Sequence, residues 1–237
     1  MSASASAAQS SSLIRCAIAK LGGRYSTEAG IDVDRGSREI DRWFLAATLF
    51  GTRISATIAM RTYRTLSAAG VDTIDDAGRR DWDDLVKLLG EGGYARYDYR
   101  TATRLLDLSA AVAEQHPNGI EAFGASQDDS QVLTQALDAL PGWGPVTVAA
   151  FLRELRGLWP AANPPVEHRA TAAAHHLRLV GDTGSLDAAK LAELATGADV
   201  DVRDLEAALI RLALAHRSGS DRCRFQQASG CRYLTEH

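Results

Sequence analysis

Apolar residues along this chain recur at three- and four-residue spacing, the period of a helix with one buried face. Ile40, Trp43, Phe44 and Ala47 follow it, as do Ile54, Ile58 and Leu66, then Trp82, Leu85, Val86 and Leu89. Leu105, Leu108 and Val112 continue it, and Leu205, Ala208, Leu209 and Leu212 repeat it near the C-terminal end. Between these runs stand turn-forming clusters: Gly22-Gly23, Gly70, Gly92-Gly93, Pro117-Asn118-Gly119, Asn163-Pro164-Pro165 and Gly181-Asp182-Thr183-Gly184. No apolar–polar alternation of useful length appears, so the pattern predicts an all-α protein.

One junction is more specific than the rest. Leu133, Ala136, Leu137 and Leu140 form one helical stripe, and Val148, Phe151, Leu152 and Leu155 form the next. Only Pro141-Gly142-Trp143-Gly144-Pro145 and the two residues after it separate them. Gly142 and Gly144 can adopt backbone angles closed to other residues, and Pro145 suits the first turn of a helix. Such a hairpin leaves backbone N–H groups pointing outward at a helix N-terminus, where a phosphate can bind. A plain αα-hairpin with a tight turn is the other reading of these residues.

Leu140-Pro141-Gly142-Trp143-Gly144-Pro145-Val146-Thr147 resembles the helix-hairpin-helix of DNA repair proteins, Leu-Pro-Gly-x-Gly-x-x-Thr. Order and spacing over roughly residues 37–237 are similar to the endonuclease III-like superfamily of DNA glycosylases. Trp43 to Leu66 resembles its first barrel helices, and Gly93 to Val112 the helix after its Gly-Leu-Tyr-like turn. The resemblance implies two helical lobes with a DNA-binding cleft between them. Residues 37–158 would form a central lobe with the hairpin at its end, and 13–36 plus 163–237 the other lobe. It also implies phosphate contacts at Leu140, Gly142, Trp143, Gly144, Val146 and Thr147, with Thr52 and Arg53 entering the duplex. Phe50, Tyr94, Arg96, Tyr97, Tyr99 and Arg100 are the candidates to receive an extruded base, since aromatic and cationic groups interleave there; aromatic residues at such spacing equally suit a core.

The family's catalytic aspartate follows an apolar stretch. Here Asn163-Pro164-Pro165-Val166-Glu167-His168-Arg169 stands at that place, with Glu167 in the aspartate's position. Cleaving an N-glycosidic bond builds positive charge on the sugar, and a carboxylate can stabilise it and direct water. Glu167 is the expected catalytic residue, in the first turn of a helix running to Leu179, and His168 a secondary one. A surface glutamate favoured by the helix dipole is the competing reading. Relatives that also nick the backbone carry a lysine where this chain has Val146, and the three lysines, Lys20, Lys87 and Lys190, all lie away from the hairpin. A monofunctional, water-using glycosylase is therefore expected. Many relatives hold a [4Fe–4S] cluster with four cysteines, whereas Cys223 and Cys231 offer two thiolates, so no cluster, metal or other cofactor is expected. His175 and His176 adjoin on one helix and point apart, as packing or surface residues do.

Composition changes little. Apolar residues at 46% and charged ones at 24% suit an ordinary soluble globular protein. Net charge of −4 argues against unselective nucleic-acid binding but leaves room for a local basic face. Arginines do cluster, at Arg53, Arg61 and Arg64, at Arg96, Arg100 and Arg104, and at Arg217, Arg222, Arg224 and Arg232. Residues 1–12, nearly all Ser and Ala, are expected to form a disordered tail, neither signal peptide nor membrane anchor. The three cysteines form no disulfide framework, so a reducing cytoplasm is the expected setting, and the resemblance implies a bacterial-type, nucleoid-associated one. The expected partner is double-stranded DNA with a damaged or modified base, with no membrane. One branch of the superfamily is linked with phage-type hypermodified pyrimidines, which would make antiviral excision a specialisation. A non-catalytic DNA-structure-binding module and a transferase acting on modified bases remain the rival functions.

Overall fold

The computed structural model describes residues 2–50, 54–181, 184–218, 231 and 233–234. In chain order the helices are α1 (Ser2–Leu21), α2 (Tyr25–Glu28), α3 (Ser37–Phe50), α4 (Ala56–Ala68) and α5 (Ile74–Gly78). There follow α6 (Trp82–Leu89), α7 (Asp98–Gln115), α8 (Gly119–Ala125), α9 (Ser130–Asp138) and α10 (Pro145–Glu154). The last three are α11 (His168–His176), α12 (Ala188–Ala198) and α13 (Val202–Ser218). Among the described residues there is no strand, only an isolated bridge between Arg156 and Trp159. The protein is all-α. None of its described helices is long and apolar enough to cross a membrane.

Two compact units divide the chain, 26–164 and 1–25 with 165–237. In the unit of 26–164 most stripe positions face inward as expected: Ile40, Trp43, Phe44, Leu85, Leu89, Leu105, Leu108, Leu133, Leu137, Phe151 and Leu152 are buried, whereas Trp82 is exposed. Residues 26–36 belong with this unit, although the resemblance assigned them to the other. Ser26 explains why. Its N–H and hydroxyl both donate to the Glu154 carboxylate, at 3.2 and 2.6 Å, and both residues are buried. A buried carboxylate needs such donors, so α10 holds the start of the segment in place.

Aromatic rings organise the middle of this unit. The Trp143 indole stacks on Phe44 of α3 at 4.5 Å and meets Phe151 of α10 edge-on at 5.3 Å. Phe44 and Phe151 are themselves edge-to-face at 5.5 Å, and Trp159 closes on Phe151 at 5.6 Å. Two of the indole N–H groups are spent: Trp143 Nε1–H donates to Thr48 Oγ1 at 3.1 Å, and Trp43 Nε1–H to the Phe151 carbonyl at 3.3 Å. Gly124 of α8 lies flat on Trp159, where an added Cβ would stand 2.2 Å from the ring. Between α6 and α7 a π-type turn, Gly90–Tyr94, presses Gly92 against Thr62 of α4, leaving 2.6 Å for any Cβ. Arg61 Nε–H fixes that turn through the Gly92 carbonyl at 2.6 Å.

The unit of 1–25 and 165–237 packs Ile14 and Ala17 of α1 with Ala170, Ala173 and Ala174 of α11, Leu191 of α12 and Leu205, Leu209 and Leu212 of α13. Polar bonds tie the Gly22–Arg24 turn to α13: Arg24 N–H and Nε–H donate to Asp204 at 2.8 and 3.3 Å, and Arg211 Nε–H to the Gly23 carbonyl at 3.1 Å. Helix α1 begins at Ser2, so most of the segment expected to be a disordered tail is helical here. Alanine has the highest helix propensity, and the helix is extended from a packed turn at Ile14 rather than nucleated alone. Ser11 Oγ–H also donates to the Gly197 carbonyl at 2.8 Å, docking this segment on the end of α12.

Replacing Trp143 by Ala removes two ring contacts and a half-buried hydrogen bond together. Chemical denaturation should show a loss of about 3–5 kcal/mol. A loss below about 1 kcal/mol, the scale of an ordinary surface change, would show that this indole does not anchor the cluster.

Candidate nucleic-acid interface

Helices α9 and α10 are joined by a short turn that the Trp143 side chain pins from beneath. Trp143 N–H donates to the Leu140 carbonyl at 3.0 Å. Gly142 has φ of 78°, in the left-handed region that favours glycine. Gly144 differs from the expectation. At φ −167° and ψ 176° it is extended, a conformation open to any residue, and an added Cβ there meets nothing within 4 Å. Gly144 is the N-cap of α10, and Pro145 occupies its first turn. The Val148 N–H makes the first bond into the helix, to the Gly144 carbonyl at 3.0 Å. Helix geometry leaves the Val146 and Thr147 N–H groups without intrahelical acceptors, at the positive end of the helix dipole.

Side chains of the turn separate into two sets. Leu140, Trp143 and Thr147 are buried. These side chains hold the turn, so a ligand contact at these three residues falls to their backbone groups. Gly142, Pro145 and Val146 face solvent, Val146 being 71% exposed. Arg104 of α7 lies against the turn, since a Cβ on Gly142 would stand 3.2 Å from Arg104 Cδ. Arg100, one helical turn earlier, is exposed. Arg104 was in a recognised arginine cluster but was not assigned to the site. The missing signal was tertiary, because only the packing of α7 beside the hairpin brings the two together.

The residues expected to receive a base do not form one surface. Tyr94 is wholly buried and its hydroxyl donates to the Leu49 carbonyl, so its assignment to a base pocket is corrected to core. Tyr97 is half-buried, while Tyr99 is 64% exposed and packs on Trp82 at 5.5 Å. The π-type turn before α7 causes this dispersal. Arg96 and Arg100 are exposed. Phe50, half-buried at the end of α3, lies 6.0 Å from the Trp43 ring. Thr52 and Arg53 lie outside the described residues, as does Cys223.

Glu167 and His168 belong to the other unit. Glu167 is the N-cap residue of α11, one position before the first turn in which it was expected. Its half-buried carboxylate accepts from Arg169 Nη1 at 2.6 Å. This ion pair positions the carboxylate at the helix entrance, and His168 beside it is exposed. Helix α11 stops at His176 rather than Leu179: Arg178 takes φ of 56°, and the Leu179 N–H turns back to the Ala174 carbonyl at 2.9 Å.

A separate cavity of about 570 Å³ opens in the unit of 26–164, lined among others by Arg38, Asp41, Asp75, Arg79, His116 and Pro117. Burial, reinforced by the nearby Glu121 and Asp75 carboxylates, pushes the Asp41 carboxyl up to about 6. Burial also lowers His116 below the usual histidine range. Arg38 and Arg79 stand here beside the Asp41, Asp75 and Asp76 carboxyl groups, so the cavity is of mixed charge, unlike the hairpin. No family model matches the chain, and no curated protein matches it.

Because Asp41 holds its proton more tightly when folded, the native state binds more protons than the unfolded chain between about pH 4 and pH 6. Asp41 therefore subtracts stability as pH rises through that window. Asp41→Asn should raise the melting temperature at pH 8 and change it much less at pH 4. An equal shift at both pH values would show that ionisation is not the source of the gain.

Proposed function

We propose that this protein is a monofunctional DNA glycosylase of the helix-hairpin-helix type, acting on a damaged or modified base. The observation that carries the reading is the hairpin: left-handed Gly142, open Gly144 and Pro145 entering α10, with Arg104 packed against the turn. Backbone N–H groups and a guanidinium there suit a DNA phosphate, which fixes position without reading sequence. Two lobes with a helix-hairpin-helix at the end of the first belong to this reading. So does excision of hypermodified phage pyrimidines as a defence.

In the proposed reaction the bond between sugar C1′ and the base nitrogen breaks, and the base leaves with the bonding pair. The Glu167 carboxylate would stabilise the resulting sugar cation and accept a proton from water as its oxygen bonds to C1′. The leaving base gains a proton, and an abasic site remains. Val146 at the lyase position is a hydrocarbon and offers no amine for a Schiff base. The Glu167–Arg169 ion pair supports a second reading, a module that binds DNA structure without chemistry, because a carboxylate so engaged need not act on a substrate. Mass spectrometry of products from naturally modified phage DNAs separates the readings. Free base and abasic DNA support the glycosylase, a new base adduct the transferase, and unchanged DNA that binds tightly the module.

Gly144→Val tests the grip without disturbing the fold, since the backbone is extended and the space is open. It should weaken binding to duplexes of every sequence alike while the melting temperature changes little. Wild-type affinity should fall as salt rises. Unchanged affinity in Gly144→Val would remove the hairpin from the interface.

Glu167→Gln should reduce base release by about two to three orders of magnitude, as loss of one electrostatic element commonly does. DNA binding should survive the change. Single-turnover release at the wild-type rate would leave Glu167 a helix-capping surface residue and favour a search elsewhere for the carboxylate.

A further inference from the structure

His176, His216 and Cys231 converge at the end of the unit formed by 1–25 and 165–237. His176 is the last residue of α11, His216 lies near the end of α13, and Cys231 stands in the C-terminal segment. One ligand-capable atom from each lies within 4.8 Å of the other two. Cys231 is buried, and its Sγ is 3.7 Å from His216 Nε2. The imidazoles meet edge to face at 4.6 Å. We propose that these three side chains bind one zinc ion, which clips the C-terminal segment to α11 and α13.

The geometry of His216 is the strongest support. Its Nδ1 is 2.8 Å from the Leu212 carbonyl, which can only accept, so Nδ1 carries the proton and Nε2 presents a lone pair toward Cys231. A backbone carbonyl on the remote ring nitrogen is the arrangement that orients a metal-bound histidine. His176 supplies the independent observation: its Nε2 is buried without a hydrogen-bond partner. Buried polar atoms are rarely left so, and a metal bond would satisfy this one. Zinc bonds of about 2.0–2.1 Å to nitrogen and about 2.3 Å to sulfur give a tetrahedral N–S edge of about 3.5 Å. The observed 3.7 Å is close to that edge.

The surroundings are built to keep this corner in place. Tyr233 meets the His216 ring edge to face at 4.7 Å and donates its hydroxyl to the Ala215 carbonyl at 2.8 Å. Cys16 of α1 donates its thiol to the Leu234 carbonyl at 3.4 Å. Sulfur with two imidazoles favours zinc over the hard cations, which prefer oxygen. Water completes the tetrahedron. The sequence did not reveal this set because its members come from three segments and show no zinc-motif spacing.

The full-length protein, dialysed against metal-free buffer and reloaded with zinc, should retain about one ion per chain by elemental mass spectrometry. Cobalt in its place should give intense tetrahedral d–d absorption and one thiolate charge-transfer band. Cys231→Ser should abolish that band, and His176→Ala should weaken zinc binding at least about ten-fold, the scale of losses in a metal site's supporting residues. His175→Ala, next to the ligand but outside the cluster, should bind like wild type. Wild-type protein that retains no zinc, or cobalt spectra without the thiolate band, would overturn the site whether or not the variants fold. Neither readout depends on DNA or on catalysis.

Discussion

The hairpin exists as a shaped surface because Trp143 is held from below. Its ring is clasped by Phe44 and Phe151 and its N–H by Thr48, so the turn between α9 and α10 cannot rise or rotate without opening the core. Burying an indole with its polar edge satisfied contributes strongly and specifies one orientation. Everything outward depends on that. With Trp143 down, Gly142 must take the left-handed conformation and Gly144 the extended one that starts α10. Arg104 then lies beside Gly142, where an added Cβ would crowd it at 3.2 Å. A residue that looked like part of a binding surface is instead the pin that makes the surface.

The fold class and most helices were legible in the sequence because their stripes run at one unbroken period. Ile40, Trp43 and Phe44 on α3, or Leu205, Leu209 and Leu212 on α13, face inward as their spacing requires. Legibility fails where a local rule has two outcomes. The Ser/Ala start of α1 has the composition of a disordered tail and also a strong helix propensity, and docking on Gly197 favours the helix. Tyr94, Tyr97 and Tyr99 looked like one strip because they alternate in sequence. A π-type turn ending at Tyr94 instead gives each a different environment.

Charge is distributed in a way net charge conceals. The acidic balance coexists with Arg96 and Arg100 exposed on and just before α7 and with Arg104 against the hairpin, while other arginines are engaged in hydrogen bonds within the fold. Arg61 holds a backbone turn, Arg156 donates to the Pro164 carbonyl at 2.9 Å, and Arg203 clasps Asp201 at 2.6 Å. Arginine suits both tasks, since its planar fork can satisfy several acceptors without losing charge. Counting arginines in sequence therefore overstates the basic face, and only the packing of α7 identifies which of them a phosphate could meet.

Val146 bears on the proposed chemistry through its position rather than its packing. At 71% exposure it supports no core, so a lysine could stand there at no cost to the fold. Core demands therefore do not account for an apolar residue at this place. A single exposed valine is ordinary on a protein surface. If the turn grips DNA as proposed, however, valine leaves no amine at this place to attack the sugar. Under the proposed reading the burden then passes to a carboxylate and water. Glu167 enters α11 with its charge already matched by Arg169. That pairing fixes the carboxylate's direction before any substrate arrives, and preorganised charge stabilises a transition state without reorganisation during the reaction. The same ion pair that favours a merely structural glutamate is thus also compatible with a catalytic one. Rate measurements on the charge itself decide between them, because both roles use the same contacts.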